Sequence, residues 1–477
     1  MKSTALLFIT LSLTQCASQI ENDGTDRPPN ILFIMVDDLG KEWVSCYGAD
    51  SIITPNIDQL AQQGIRFENV YSMPQCTPTR VTLLTGQYPF RHGWVNHWDV
   101  PRWGGGAHFD ESTNPSLGRL MKAAGYETAI AGKWQINDFR VQPDAMERHG
   151  FDHYCMWTGY ETGVEASAER YWNPYIFTET DSRTYPDAFG PDIFKNFIID
   201  FIHEHRDTSM FIYFPMVLTH TPLVNPPGSS AEDNLGKHKA MVRYTDAITG
   251  EVIQALEDAG VRNNTVVIWT TDNGTARGIE GTLNNYPLEG GKGLTTEAGI
   301  NAPFIVSCPG KAPRGQVSDA LIDFSDLLPT FLDIAGREVP SGQITDGVSF
   351  KEVIYGDTSD TDRSWILSMG GQNNARLTEK GVENEYRFRD RVLRNKRYKL
   401  YVDTQGQPAQ FYDLETDPTE QQDLSDNLSS EEVRKNYEQL ASVIETFPEQ
   451  DSDPRYIPLP PQSWDVEITA ESQVWKK

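Results

Sequence analysis

The stretch Ile31-Leu32-Phe33-Ile34-Met35-Val36-Asp37-Asp38 decides the fold. Six consecutive apolar residues, three of them β-branched, have the pattern of a strand buried on both faces. Two carboxylates stop the run abruptly. Buried strands of this kind belong to parallel sheets covered by helices, in which ligands bind beyond the carboxyl ends of the strands. Asp37 and Asp38 therefore fall where a ligand is expected.

The same layout recurs along the chain. Tyr126 to Ala131 reads as a strand followed by Gly132-Lys133-Trp134, Met210 to Phe214 as a strand leading to Leu218-Thr219-His220, and Thr265 to Trp269 as one ending at Thr271-Asp272-Asn273-Gly274. Ala302 to Ser307 is a further strand. Helical patterns lie between them, at Ile57 to Gly64, Leu117 to Gly125, Pro191 to His205, Ala240 to Gly260 and Asp326 to Ala335. Strand–helix alternation predicts an α/β fold, a large mostly parallel sheet sandwiched by helices. Pro143 to Pro191, rich in aromatics, Gly and Pro without a clean period, reads as long loops on a rim. Beyond about Asp360 short strand-like runs predict a small C-terminal antiparallel sheet, followed by a helix over Ser430 to Thr446. The expected organisation is a leader over 1–20, a catalytic domain over 28–360 and a C-terminal subdomain over 361–477.

Composition narrows the class. The chain has 477 residues, 38% hydrophobic, and a formal net charge of −27, which argues against a nucleic-acid partner. The N-terminus reads as an export signal, with Lys2 before the short apolar run Ala5 to Leu13. Export to the periplasm, the cell surface or the medium is expected. Leu13-Thr14-Gln15-Cys16 resembles a lipobox, so Cys16 is a candidate for lipidation and membrane attachment; the alternative is cleavage near Ala17. The five cysteines, Cys16, Cys46, Cys76, Cys155 and Cys308, are too scattered for a disulfide framework or a zinc site.

Asp37, Asp38, Asp272 and Asn273 offer only oxygen ligands, a set that suits a hard cation, Ca²⁺ or Mg²⁺. Cys76-Thr77-Pro78-Thr79-Arg80 opens a short apolar helix, with Thr77 as its expected cap and Pro78 in its first turn. Such a helix start, with the Arg80 guanidinium one turn in, receives anions. Lys133, His220 and Lys292, the last in the Gly-rich run Glu289 to Gly293 read as a flexible loop, add further positive or proton-donating groups.

Residues Cys76 to Gly86, C-T-P-T-R-V-T-L-L-T-G, resemble the CxPxR…TG signature of the formylglycine-dependent sulfatases of the alkaline phosphatase superfamily. Gly125 to Trp134 is similar to the family's second signature, and Tyr412-Asp413-Leu414 with Asp417-Pro418 is typical of its C-terminus. The resemblance implies an alkaline phosphatase-like fold. It implies that a maturation enzyme oxidises Cys76 to formylglycine (3-oxoalanine), whose hydrate attacks sulfur. It implies Ca²⁺, ahead of Mg²⁺, held by Asp37, Asp38, Asp272, Asn273 and the modified Cys76, with Arg80, Lys133 and Lys292 gripping the sulfate and His220 as general acid. Gln135 stands where the family usually has histidine, and cannot supply a proton.

On the substrate side, Asn96, His97, Trp98, Arg102 and Trp103 are pocket candidates, because tryptophan faces stack on sugars and Arg or His pairs with anionic groups. Arg387 is a further candidate from the C-terminal sheet. The expected substrate is a sulfated carbohydrate, an algal, ulvan-like oligo- or polysaccharide attacked from its end. The alternatives are an arylsulfatase, a phosphate- or phosphonate-ester hydrolase of the same superfamily, and an inactive carbohydrate-binding relative.

Overall fold

The structure, a computed structural model, describes residues 27–95, 109–112, 114–157, 170–180, 182–370, 375–378, 381–384, 386–455, 457 and 460. The strand Asn30–Val36 lies inside a ten-stranded sheet. In spatial order the strands are Gln316–Asp323, Ile65–Tyr71, Phe304–Ser307, Thr265–Thr271, Asn30–Val36, Met210–Pro215, Glu127–Lys133, His153–Trp157, Tyr175–Thr178 and Arg183–Thr184. The five from Thr265–Thr271 to His153–Trp157 run parallel to one another. Phe304–Ser307 runs antiparallel to both of its partners.

The continuous apolar run is explained by burial on two faces. Ile31, Phe33 and Met35 join one core cluster, together with Leu83, Met121 and Phe331 from helices on that side. Leu32, Ile34 and Val36 join the other, together with Ile57, Ile198 and Val252 from helices opposite. The expected helices form as Pro55–Gln62, Leu117–Ala123, Gly190–Glu204, Asn234–Asp258 and Leu327–Ile334.

Part of the Pro143–Pro191 segment departs from its reading as rim loops. His153–Trp157 continues the parallel sheet beside Glu127–Lys133, and Tyr175–Thr178 and Arg183–Thr184 extend it antiparallel. Tyr154, Met156 and Ile176 are buried there, so these short runs gain tertiary partners that local periodicity does not reveal.

The C-terminal part forms a four-stranded antiparallel sheet from Ile366–Met369, Arg391–Arg394, Tyr398–Val402 and Pro408–Asp413. The helix Glu431–Ile444 covers it through Leu440 and Val443. Leu367, Leu393 and Leu400 share a core cluster with Met73, Tyr88 and Phe90, residues flanking the helix Cys76–Thr85. The small sheet thereby braces the segment that carries Cys76.

Candidate active site

Asp37 and Asp38 follow directly on the central strand. Adjacent side chains on a strand face opposite ways, but Asp38 takes a left-handed φ of 62°, a conformation Asp tolerates better than most residues. The chain bends there, and both carboxylates join one buried cluster. The neighbouring strands fix the bend: Asp37 N donates to Leu218 O at 2.7 Å, Thr219 N to Asp37 O at 2.7 Å, and Asp272 N to Val36 O at 3.0 Å.

Cations fill the spaces between the acids. Lys133 Nζ donates to Asp37 Oδ2 at 2.7 Å, Arg80 Nη2 to Asp272 Oδ2 at 2.7 Å, and Lys292 Nζ to Asp38 Oδ2 at 2.6 Å. Arg80 Nη1 also donates to Lys133 O at 3.0 Å. Lys133 reaches the site because Gly132 lets the backbone pass Pro215: a Cβ there would lie 2.0 Å from Pro215 O. Gly274 likewise lets the Asp272-Asn273 turn press against Ala298, whose O would sit 1.8 Å from an added Cβ. The Gly-rich run around Lys292 is pinned rather than loose: Lys292 N bonds to Thr275 O at 3.0 Å and Gly293 N to Pro74 O at 2.8 Å.

Cys76 begins the helix Cys76–Thr85 and is buried. Its Sγ, one carboxylate oxygen of Asp37 and one of Asp272 lie within 4.8 Å of one another, as do ligand atoms of Asp37, Asp38 and His220. Thr77 does not cap the helix; the N-cap is Gln75, and the buried Thr77 Oγ1 makes no hydrogen bond among the described residues. Thr79 fastens this helix start instead, its hydroxyl lying 2.8 Å from Asp272 O and accepting from Met73 N at 3.1 Å.

Two oxygens decide whether the acids suit a metal. Asp37 Oδ1 and Asn273 Oδ1 are buried and accept no hydrogen bond among the described residues. A buried acceptor left idle costs roughly 1–3 kcal/mol, and a divalent ion would satisfy both. All donors except Cys76 are oxygens, as Ca²⁺ or Mg²⁺ requires. Burial, and next the charge of Asp37, pushes the Asp272 carboxyl up to about 7 even with Arg80 beside it. Burial opposes ionisation of Asp37, yet Lys133, His220 and Arg80 together hold it below the usual carboxylate range.

His220 Nδ1 lies 2.6 Å from Thr221 O. A carbonyl only accepts, so Nδ1 carries the proton and Nε2 faces Asp38 Oδ2 at 3.7 Å. Burial, then Lys292 and Arg170, press the imidazole well below its ordinary pKa. Gln135, at φ 69°, presents Oε1 to Cys76 Sγ at 3.5 Å. It touches the nucleophile position itself.

Asp37, Asp38, Cys76, Arg80, Lys133, Gln135, His220, Asp272, Asn273 and Lys292 thus converge. Asn96, His97, Trp98, Arg102 and Trp103 lie outside the described residues, as does Cys16. Arg387 is not brought to the cluster; it is exposed and pairs with Glu449 at 3.1 Å. One residue of the site has no counterpart in the sequence reading. Arg170 is 4% exposed, sits 4.0 Å over the Trp157 ring and places Nη1 3.8 Å from Asp37 Oδ2. Its Nε and Nη1 make no hydrogen bond among the described residues. It lies in the aromatic-rich segment without period, so nothing local marks it.

The comparisons with known proteins agree with this geometry. The family model described as Sulfatase matches residues 29–337, and that described as N-sulphoglucosamine sulphohydrolase, C-terminal, matches 291–446. Human N-acetylgalactosamine-6-sulfatase is 32% identical over 348 residues, 68% of this chain and 66% of that protein. The chain spans about two thirds of the length of such curated relatives. The N-acetylgalactosamine-6-O-sulfatase of Bacteroides thetaiotaomicron is 26% identical over 90% of this chain and 96% of its own. The solved structure of Ps i-CgsB in complex with k-i-k-neocarrahexaose superposes with a TM-score of 0.71 at 23% identity, covering 87% of this chain and 93% of that one. At that identity it supports the fold alone.

Proposed function

We propose that this chain, which belongs to the sulfatase family and with it to the sulfuric ester hydrolases, removes sulfate from a carbohydrate by way of a formylglycine made from Cys76. The observation that carries this reading is Cys76 Sγ set among Asp37 and Asp272, beside two idle buried oxygens. Relatives named for N-acetylgalactosamine 6-sulfate make 6-sulfated amino sugars the first substrates to try, with carrageenan and ulvan fragments after them.

When bound, Ca²⁺ supplies Lewis-acid charge to oxygens at the Cys76 position, held by Asp37, Asp38, Asp272 and Asn273. The chain's own groups do the rest. A maturation enzyme supplies the oxidant that turns the Cys76 Cβ into an aldehyde, its carbon–sulfur bond breaking and the sulfur leaving as sulfide, and water hydrates the aldehyde to a gem-diol. One hydroxyl gives its proton to Asp37 or Asp38 and attacks sulfur in line, and the bond from sulfur to the sugar oxygen breaks. The second hydroxyl then gives its proton to His220 Nε2, left neutral by the first step, the carbon–oxygen bond to sulfate breaks and the aldehyde returns. Arg80, Lys133 and Lys292 spread positive charge around the departing sulfate. His220 protonates the sugar oxygen through Nε2, since Nδ1–H is committed to Thr221 O. The cations around His220 oppose that charge in the free site, and the incoming anionic ester favours it.

Co-expression with a maturation enzyme, mass spectrometry of the Cys76 peptide and a panel of defined sulfated oligosaccharides test the proposal. An aldehyde at Cys76 with sulfate release is expected. An unmodified cysteine and no release would leave only carbohydrate binding. Faster turnover of a matched aryl phosphate than of the aryl sulfate would redirect the reading to phosphate esters. For His220→Ala, the expected loss on a sugar sulfate is about 10²–10⁴-fold, with a much smaller loss on an activated aryl sulfate. Equal losses on both would remove His220 from the leaving-group side.

A further inference from the structure

The edge of the sheet opposite the active site carries a second ligand cluster. Glu127 opens the strand Glu127–Lys133, His153 opens the adjoining strand His153–Trp157, and His205 is the C-cap of the helix Gly190–Glu204. A carboxylate oxygen of Glu127 and ring nitrogens of His153 and His205 lie within 4.8 Å of one another. All three residues are half-buried. Glu127 and Lys133 are opposite ends of one strand, roughly 20 Å apart at about 3.3 Å per residue. The cluster is therefore separate from the Asp37–Asp272 site.

The surroundings supply a second carboxylate behind one of the imidazoles. His153 Nε2 lies 2.9 Å from Glu127 Oε1. Its other nitrogen, Nδ1, faces Glu179 Oε1 at 3.6 Å, and Glu179 is itself held by Tyr154 N at 2.9 Å. With an ion bound at Nε2 the proton would move to Nδ1, where Glu179 stands as the carboxylate commonly found behind metal-bound histidines. The His205 ring is stacked on Phe201, centroids 4.4 Å apart, and tilts toward His153 at 4.9 Å. Phe201 fixes one imidazole while Glu179 orients the other.

We propose that Glu127, His153 and His205 form a binding site for a divalent transition metal of the zinc class, with Glu179 as a positioning residue behind His153. Two imidazoles and one carboxylate, with a fourth position left to water, are a common zinc set. Carboxylate and imidazole side chains of partial exposure can close to the about 2.0–2.2 Å such bonds need. The mixed N/O set separates this site from the oxygen-rich one, which favours Ca²⁺. A bound ion would tie the end of the helix Gly190–Glu204 to two strands of the sheet.

The test uses the full matured chain with Ca²⁺ in excess, titrated with Zn²⁺ alone while heat and bound metal are measured. Uptake of one Zn²⁺ per chain is expected, with a rise in Tm. His153→Ala and His205→Ala should each lose that uptake at unchanged sugar-sulfate turnover, and Glu179→Gln should weaken it by about 10–100-fold. No uptake by the wild-type chain, or undiminished uptake by both histidine variants, overturns the proposal. Should either variant fail to fold, anomalous diffraction from zinc-soaked wild-type crystals decides. A peak between Glu127, His153 and His205 supports the site, and a peak only elsewhere refutes it.

Discussion

Two groups of buried charge hold this molecule together, and they differ in what is left over. In the C-terminal part, Asp451 accepts from Arg391 Nη2 through both oxygens at 2.8 and 2.7 Å and from Arg389 N at 2.8 Å. Arg363 similarly bonds Asp326, which also takes Val348 N at 2.6 Å and Asp323 N at 2.9 Å. Every carboxylate oxygen in these two networks has a donor. At the carboxyl ends of the large sheet there are at least as many cations, yet Asp37 Oδ1 and Asn273 Oδ1 have none. A network whose carboxylate oxygens are all taken ties segments together: Asp451 anchors the tail, and Arg363 bridges the small sheet to the large one. An unsaturated one has room for a further cation and for an ester.

Substitutions should separate the two. Cys76→Ala is expected to lower turnover of any sulfate ester by at least about 10³-fold while leaving Tm close to that of the unmodified chain. Asp451→Ala strands two buried guanidinium groups and should cost about 3–5 kcal/mol of stability, with turnover per folded molecule almost unchanged. Denaturant melts beside active-site titration would show both. A turnover loss in Asp451→Ala as deep as in Cys76→Ala would erase the division. On the proposed calcium site, a chelator should abolish turnover and lower stability by about 2.7 kcal/mol relative to a hundredfold excess of Ca²⁺ over Kd, both restored by Ca²⁺. The Asp37→Asn chain should show no such stabilisation; if it responds like wild type, the ion sits elsewhere.

This comparison also explains what the sequence discloses. Asp37, Asp38, Lys133, His220, Asp272 and Asn273 are legible because each follows an apolar strand that stops at a charge, and parallel strands bring such stops to one edge. Arg80 is legible as a cation at a short helix start, and the role of Cys76 through the resemblance of Cys76 to Gly86 to the sulfatase signature. Arg170 is not, because its place depends on stacking over Trp157 within a segment whose strands pair only through distant partners. The saturated networks are equally hidden. Asp451 meets Arg389 and Arg391 some sixty residues away, and no local pattern announces that. Ile65–Tyr71 and Gln316–Asp323 have polar interruptions that hide two strands of the main sheet.

Idle atoms alone do not make a site, and His238 sharpens that limit. It lies on the helix Asn234–Asp258, fully buried, its ring 4.5 Å from Trp43 in an edge-on contact, and among the described residues neither nitrogen is hydrogen-bonded. Unlike Asp37 it has no charged neighbour, and burial alone presses its pKa down to about 3. The unfolded chain takes up a proton near pH 6.5 that the native imidazole refuses. Stability contributed by the neutral ring is therefore complete above 6.5 and falls as pH drops toward 3. Between pH 6.5 and 5 the loss should be about 2 kcal/mol. His238→Phe keeps the aromatic contact with Trp43 and removes the proton, so its stability should decline less steeply over that interval. Sugar-sulfate turnover per folded molecule should match wild type. Parallel stability curves for the two chains would mean that His238 is protonated without penalty, and a fall in turnover would mean that its idle nitrogens serve the chemistry after all.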